Sequence, residues 1–260
     1  MDTIVLIKQV PDTESAIEVD STAARIVEDN LNWVLNPYDE IAVEEALRIK
    51  EAHGGTVTLL CAGPKRSQDA LRSGLAMGAD QAILIQDPAL DNCDTRGLAQ
   101  VLAACIRTLE YGLILSGQRA VDDDLQLTGA SVAWELDIPY IPDVTRQEIE
   151  GQTLRCRQST DQALLTIESP LPALIAVQRG LNEPRYISLP GMMKAKKKPV
   201  DMKTLSDLGL EAANLPQPGL QIESLEVPSS QRAGEMLSGD TPEEQAANLA
   251  KRLREMDLLG

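Results

Sequence analysis

Apolar positions in the first half of the chain fall into two alternating textures. Thr3–Ile7, Val57–Cys61, Ala82–Ile85 and Leu113–Leu115 are short, largely apolar runs, the pattern of strands covered on both faces. Between them, apolar residues recur at helical spacing. Asn36-Pro37 supplies a cap and a first-turn proline for a helix carrying Ile41, Val43, Ala46, Leu47 and Ile49, which stops at Gly54-Gly55. Ala62-Gly63-Pro64 leads into a helix through Leu71, Leu75 and Met77. Asp94 can cap a third running to about Leu109, and a fourth is expected over about 125–136. Strands alternating with helices across short connections predict an α/β fold: a doubly wound, mostly parallel sheet with helices on both faces.

The texture changes at both ends of this region. Residues 11–35 are acidic and irregular, with room for a small hairpin. From 143 to 177 come short strand-like segments ending in Ala173–Val177, expected to extend the same sheet or to form a hairpin beside it. Residues 200–240 are polar and weakly periodic, the pattern of an extended arm that needs a surface to lie on. Thr241-Pro242-Glu243-Glu244 then opens a last helix. The predicted division is an α/β domain over 1–199 and a C-terminal arm with its helix over 200–260.

Composition narrows the chemistry. The 260 residues include no Phe, so the core must be aliphatic. A net charge of −16 argues against general binding to nucleic acid or to an anionic membrane. The single His53 cannot anchor a zinc site or a Ser-His-Asp system, and no catalytic or metal set stands out. Cys61, Cys93, Cys105 and Cys156 have no C-x-x-C spacing and read as buried small hydrophobes in a reducing compartment. No apolar run reaches the length of a membrane span, and the first residues read as strand rather than leader, so a cytoplasmic location is expected. Trp33 and Trp134 read as packing residues, and Gly74 and Gly78 as points of close helix–sheet approach.

Two regions are candidates for function. In an open parallel sheet, ligands bind beyond the carboxyl ends of the strands where strand order reverses. Asn36-Pro37-Tyr38-Asp39, Ala62-Gly63-Pro64 and Asp122–Ala133 lie at such ends. The last places Gln126, Thr128, Gly129 and Ser131 at a helix start, where free amides attract a phosphate; Asp122, Asp123 and Asp124 would repel it unless they cap amides or face sugar hydroxyls. Helix capping by acids is the competing reading. The second region is Lys194-Ala195-Lys196-Lys197-Lys198, four of the 24 basic residues in five positions, following the proline-bracketed segment from Asn182 to Pro190. It suits either a solvated charge run or a docking patch, and the prolines argue against helix there.

Assembled in order, these segments resemble the β subunit of electron-transfer flavoproteins. The resemblance rests on Lys8-Gln9-Val10-Pro11-Asp12, Asn36 through Ala46, Leu75 through Asp80, Asp122-Asp123-Asp124 with Thr128-Gly129, and Leu181 through Lys198. It implies an adenine-nucleotide-binding, Rossmann-like frame. It also implies a heterodimer whose α subunit holds most of a redox-active FAD, while β carries an AMP without redox role. By family position AMP would contact Leu6, Asn36, Pro37, Tyr38, Asp39, Ala62 and the run Asp122, Asp123, Asp124, Leu125, Gln126, Leu127, Thr128, Gly129, Ala130, Ser131, Val132 and Ala133. Arg185, Tyr186, Ile187, Ser188, Leu189, Pro190, Gly191, Met192, Met193 and Lys194 match the dehydrogenase-recognition loop, with Leu189 as its apolar anchor. The implied role is an electron carrier rather than an enzyme. Electrons would arrive from acyl-CoA or related dehydrogenases, as in fatty acid oxidation, and leave to a membrane quinone oxidoreductase.

The chain departs from the family at several points. Arg157-Gln158-Ser159-Thr160-Asp161-Gln162 lacks the usual glutamate near the flavin, and Thr13 stands where some members carry tyrosine. A bifurcating branch with a second FAD in β has Asp-Gly-Asp-Thr where this chain has Asp122-Asp123-Asp124-Leu125; the Asp123 carboxylate and Leu125 should crowd a diphosphate and favour AMP. A nucleotide-dependent adenylate-transferring enzyme and a nucleotide-sensing module remain alternatives on the same frame, although no nucleophile or basic phosphate clamp is visible.

Overall fold

In the computed structural model the chain runs β1 (Thr3–Leu6), β2 (Gln9–Pro11), β3 (Val19–Asp20), β4 (Arg25–Ile26), β5 (Trp33–Leu35), α1 (Pro37–His53), β6 (Val57–Ala62), α2 (Gln68–Met77), β7 (Gln81–Ile85), α3 (Thr95–Ile106) and β8 (Leu113–Gly117). It continues through α4 (Thr128–Leu136), β9 (Tyr140–Glu150), β10 (Thr153–Ser159), β11 (Leu164–Pro170), β12 (Ala173–Val177), α5 (Leu189–Lys197), β13 (Asp201–Lys203) and α6 (Pro242–Glu255). The structure describes all residues except 21, 23–24, 161, 220–221, 229–233 and 259–260.

Among the described residues, nine strands form one sheet in the order β11-β10-β9-β12-β8-β1-β6-β7-β13. All neighbours from β9 to β13 in that order are parallel; β10 pairs antiparallel with both β9 and β11. The 143–177 segments therefore extend the main sheet. The chain lays down β1, β6 and β7 in one direction, and α3 then carries it back so that β8 pairs with the other side of β1. Strand order thus reverses between β1 and β8. Side chains alternate across the sheet: Val5, Leu59, Leu84, Leu115 and Ile175 meet the α1 and α2 side, and Ile4, Leu60, Ile83, Ile114 and Leu174 meet α3 and α4. Both cores are aliphatic, as the absence of Phe requires. At Gly74 a Cβ would come within 2.5 Å of Leu59 Cδ1, so α2 does pack closely on the sheet there.

Three readings need correction. The chain divides into units Met1–Ser224 and Leu225–Gly260, so residues 200–224 belong to the α/β body. β13 joins the sheet edge against Ile83–Ile85, and Leu205 and Leu215 enter the α3 side of the core. Three residues at an edge carry too little periodicity to register as a strand. Residues 220–221 and 229–233 of the predicted arm lie outside the described residues. The segment after Ser188 is helical despite its prolines: Pro190 sits in the first turn, where no amide is needed, and Ser188 Oγ accepts from the Gly191 amide at 3.2 Å. Trp134 is not a packing residue, since it is 85% exposed on α4, whereas Trp33 lies 3.6 Å beneath the Arg66 guanidinium.

Candidate functional site

Where strand order reverses, two strands must diverge beyond their last paired residues. Leu6, at the end of β1, is in register with Leu60 of β6 and Ser116 of β8. Asp39, on the first turn of α1 and 5% exposed, ties the diverging ends together. Its Oδ2 accepts from the Lys8 amide at 2.7 Å and its Oδ1 from the Gly117 amide at 3.1 Å. A Cβ at Gly117 would lie 2.4 Å from Asp39 Oδ1 and 2.9 Å from the Tyr38 backbone, so the approach requires glycine. Burial raises the Asp39 carboxyl to about 7, outweighing the donors from Lys8, Asn36 and Gly117.

Asn36 does not cap α1 with its side chain. Buried, it holds the following loop instead: Nδ2 donates to the Arg119 carbonyl at 2.9 Å, and Oδ1 accepts from the Val121 amide at 3.3 Å. The acidic triplet on that loop is paired from two sides, two cations against three carboxylates. Lys8 Nζ bridges Asp122 (2.9 Å) and Asp123 (2.8 Å), and these partners raise its pKa against the opposing effect of burial. Arg119 Nη1 reaches both oxygens of Asp124 at 3.2 Å while its Nε donates to the Tyr38 hydroxyl at 2.9 Å. Asp124 and Gln126 take left-handed backbone angles (φ 52° and 57°), which turn the loop sharply into α4.

The turn leaves donors and acceptors uncommitted. The first-turn amides of Thr128, Gly129 and Ala130 have no acceptor among the described residues. Ser116 Oγ and Gln9 Oε1 are buried without partners among the described residues, and Ser116 Oγ lies only 2.9 Å from where a Gly129 Cβ would be. Ala62, in register with Ile85, ends β6 nearby in sheet order. Cys61 beside it is inert, because burial pushes its thiol up to about 12. Gln118 continues the crevice sideways: its Oε1 accepts from the Asp143 amide at 2.8 Å and its Nε2 donates to Gln126 at 3.2 Å. An open pocket of about 450 Å³ adjoins it, lined by Asp143, Ser159, Thr160 and Gln178. Asp161 of the stretch expected near the flavin lies outside the described residues. No cluster of three or more metal-ligating side chains occurs among the described residues.

The fold brings Leu6, Asn36–Asp39 and Asp122–Ala133 together at this crevice; Arg185–Lys194 lie elsewhere, against α1 and α2. There Gly191 packs on backbone, since a Cβ would sit 2.7 Å from the Ala76 carbonyl oxygen, and Arg72 Nη1 donates to the Ala195 carbonyl at 3.1 Å. Tyr186 is fully exposed and Leu189 is 73% exposed, with Met192 and Met193 also exposed beside them. Lys198 donates to the Ala79 carbonyl and is half-buried, so the exposed lysines of the run are Lys194, Lys196 and Lys197.

An electron transfer flavoprotein domain model matches residues 24–208, which span the crevice loops and the segment on α1 and α2. The chain belongs to the electron-transfer flavoprotein β-subunit family. Electron transfer flavoprotein subunit beta of Bacillus subtilis is 40% identical over 255 residues, covering 98% of each chain. The same subunit of Thermoanaerobacterium thermosaccharolyticum is 36% identical, covering 97% of this chain and 98% of its own. Caffeyl-CoA reductase-Etf complex subunit CarD of Acetobacterium woodii is 34% identical, covering 98% and 99%. Residue patterns alone did not single out Lys8, Ser116, Gly117, Gln118 and Arg119 as parts of the electron-transfer flavoprotein crevice. The available signal was Arg119, a cation just before three aspartates that need one.

Proposed function

We propose that this chain is the β subunit of a heterodimeric electron-transfer flavoprotein. It binds AMP in the crevice between the β1 and β8 ends and forms one wall beside an FAD held mainly by the α subunit. It receives acyl-CoA or related dehydrogenases on residues 185–194, and electrons leave to a membrane quinone oxidoreductase. FAD supplies the electron-carrying chemistry. The residues of this chain bind, orient and recognise.

The observation that carries the AMP reading is the largely paired triplet beside free helix-start amides. With Asp122 and Asp123 sharing Lys8 and Asp124 on Arg119, two of the three negative charges are offset, which lessens the repulsion a monophosphate would meet, and the Thr128–Ala130 amides are free to receive one. Ser116 Oγ, buried beside Gly129 at the start of α4, is an unpaired polar atom among the described residues that a nucleotide could use. A second FAD fits less well. Asp123 Oδ1 accepts from the Leu125 amide at 3.2 Å, and the other oxygen is held by Lys8, so a carboxylate stands where a second phosphate would seek donors.

Acid release and chromatography of nucleotides from the co-expressed, yellow complex test this. One FAD and one AMP per heterodimer are expected. Two FAD and no AMP would move the chain to the bifurcating branch.

A further inference from the structure

Residues 182–185 lead directly into the exposed α5 segment, and they are sewn to the middle of α1 by two adjacent carboxylates. Glu44, 3% exposed, accepts from Arg185 Nε at 2.7 Å, Arg185 Nη2 at 3.2 Å and the Arg185 amide at 3.2 Å. Arg48 Nε, one turn along α1, adds a bond to Glu44 at 3.0 Å, and Arg185 Nη1 reaches Glu51 at 2.8 Å. Glu45 accepts from Asn182 Nδ2 and Gln147 Nε2, both at 2.8 Å, and Asn182 also donates to the Ile41 carbonyl at 3.1 Å.

This is not the cheapest way to hold a loop. Both amide groups turn their nitrogens to Glu45, leaving Asn182 Oδ1 and Gln147 Oε1 buried without donors among the described residues. Each such orphan costs roughly 1–3 kcal/mol, and well-packed apolar side chains commonly replace buried ion pairs without loss of stability. What a two-oxygen fork provides that apolar contact does not is a defined position, because bidentate bonding fixes orientation as well as distance. The segment so positioned buries little of its own: Ala195 is the buried residue of α5, and Leu189, Met192 and Met193 face outward. Gly191 and Arg72 tie α5 itself to α2, and the clamp fixes the segment that leads into it.

We infer that Glu44 and Glu45 are positioning residues for docking: through Arg185 and Asn182 they set where α5 presents Leu189 to a dehydrogenase. The inference rests on the proposed docking role of 185–194. It assigns the precision of that docking to a polar clamp on α1.

Backbone hydrogen exchange over 186–197 in the αβ complex reads the clamp without the dehydrogenase. Stopped-flow reduction at varied dehydrogenase concentration reads docking. For Glu44→Gln, and for Arg185→Gln (which leaves Glu44 its Arg48 partner), exchange over 186–197 should accelerate about tenfold. For Glu44→Gln the half-saturating dehydrogenase concentration should rise severalfold, with the limiting rate and bound AMP unchanged; Arg185→Gln, within the docking segment itself, is read by exchange alone. The double variant should fall well short of the sum of the singles, because both remove the Glu44–Arg185 interaction. Unchanged exchange in both single variants, or additive losses, overturns the clamp. Faster exchange with unaltered half-saturation, seen also for Leu189→Ala, leaves the clamp standing and overturns the docking reading instead.

Discussion

Asp39 takes up a proton on folding. Its ordinary carboxyl value is 3.8 and its folded value is about 7, so the folded state binds the proton more tightly. The contribution of Asp39 to stability is therefore fully present below about pH 4 and is lost as pH rises through about 7. Yet its two oxygens hold the Lys8 and Gly117 amides at the switch point, a task one neutral amide group cannot duplicate. Asp39→Asn keeps one acceptor and turns an NH2 toward the other donor. Urea midpoints of the wild-type and variant complexes from pH 4.5 to 8.5 should show the variant weaker by about 1–2 kcal/mol at the acid end. The gap should shrink as pH rises through 7, because only the wild type then carries a buried charge. A gap that stays constant with pH would show that Asp39 does not titrate in this range.

At the level of elements, the proposed docking role falls to α5. Ser188 caps it and Pro190 occupies its first turn, so the apolar residues from Leu189 to Met193 are displayed on a helix rather than on an irregular loop. An exposed leucine on a placed helix can fill a partner's pocket, and such anchors often carry about 2 kcal/mol or more of interface energy. Leu189→Ala should slow reduction by the cognate dehydrogenase severalfold while leaving reduction by dithionite, the flavin spectrum and AMP content as they were. Equal slowing of both reductions would place Leu189 in support of the flavin instead. Lys196 and Lys197, exposed at the end of α5, should act mainly on the salt dependence of that rate.

Across the whole molecule, the division after Ser224 sets where the chain can be cut. Residues 225–260 have their own surface contacts, such as Arg252 Nε to Glu235 at 2.9 Å and Asn248 Nδ2 to Ser238 at 2.7 Å, and no residue of α6 is buried. The exposed Leu249 and Met256 suit a surface on the α subunit. Ending the chain at Ser224 should weaken heterodimer assembly and leave the thermal unfolding of the β body nearly unchanged. Ending it at Pro199 should also lower the stability of the body, because β13, Leu205 and Leu215 go with the cut. Pull-down with the α subunit and thermal unfolding of both truncations separate the two effects. Unchanged affinity after the Ser224 cut removes the arm from assembly.

Local patterning determined the layered frame by itself. Strand runs buried on both faces, helical spacing from Ile41 to Ile49, and the caps at Asp94 and Thr241 are short-range signals, and each element formed within a few residues of where its pattern lies. The loops that meet at the crevice were legible too, since strand ends in a parallel sheet are predictable meeting points. Pairing across long sequence separations was not. Lys8 with Asp122 spans 114 positions, Asn36 with Val121 spans 85, and Arg185 with Glu44 spans 141. Such partners carry no periodic mark, because a charge at the surface and a charge in a clamp look alike along the chain. Only the tertiary structure decided that the aspartate triplet is paired with Lys8 and Arg119, that Asn36 ties down a distant loop, and that the lysine-rich segment is a capped helix. In each case a side chain's bonding capacity was taken by groups the fold brought to it.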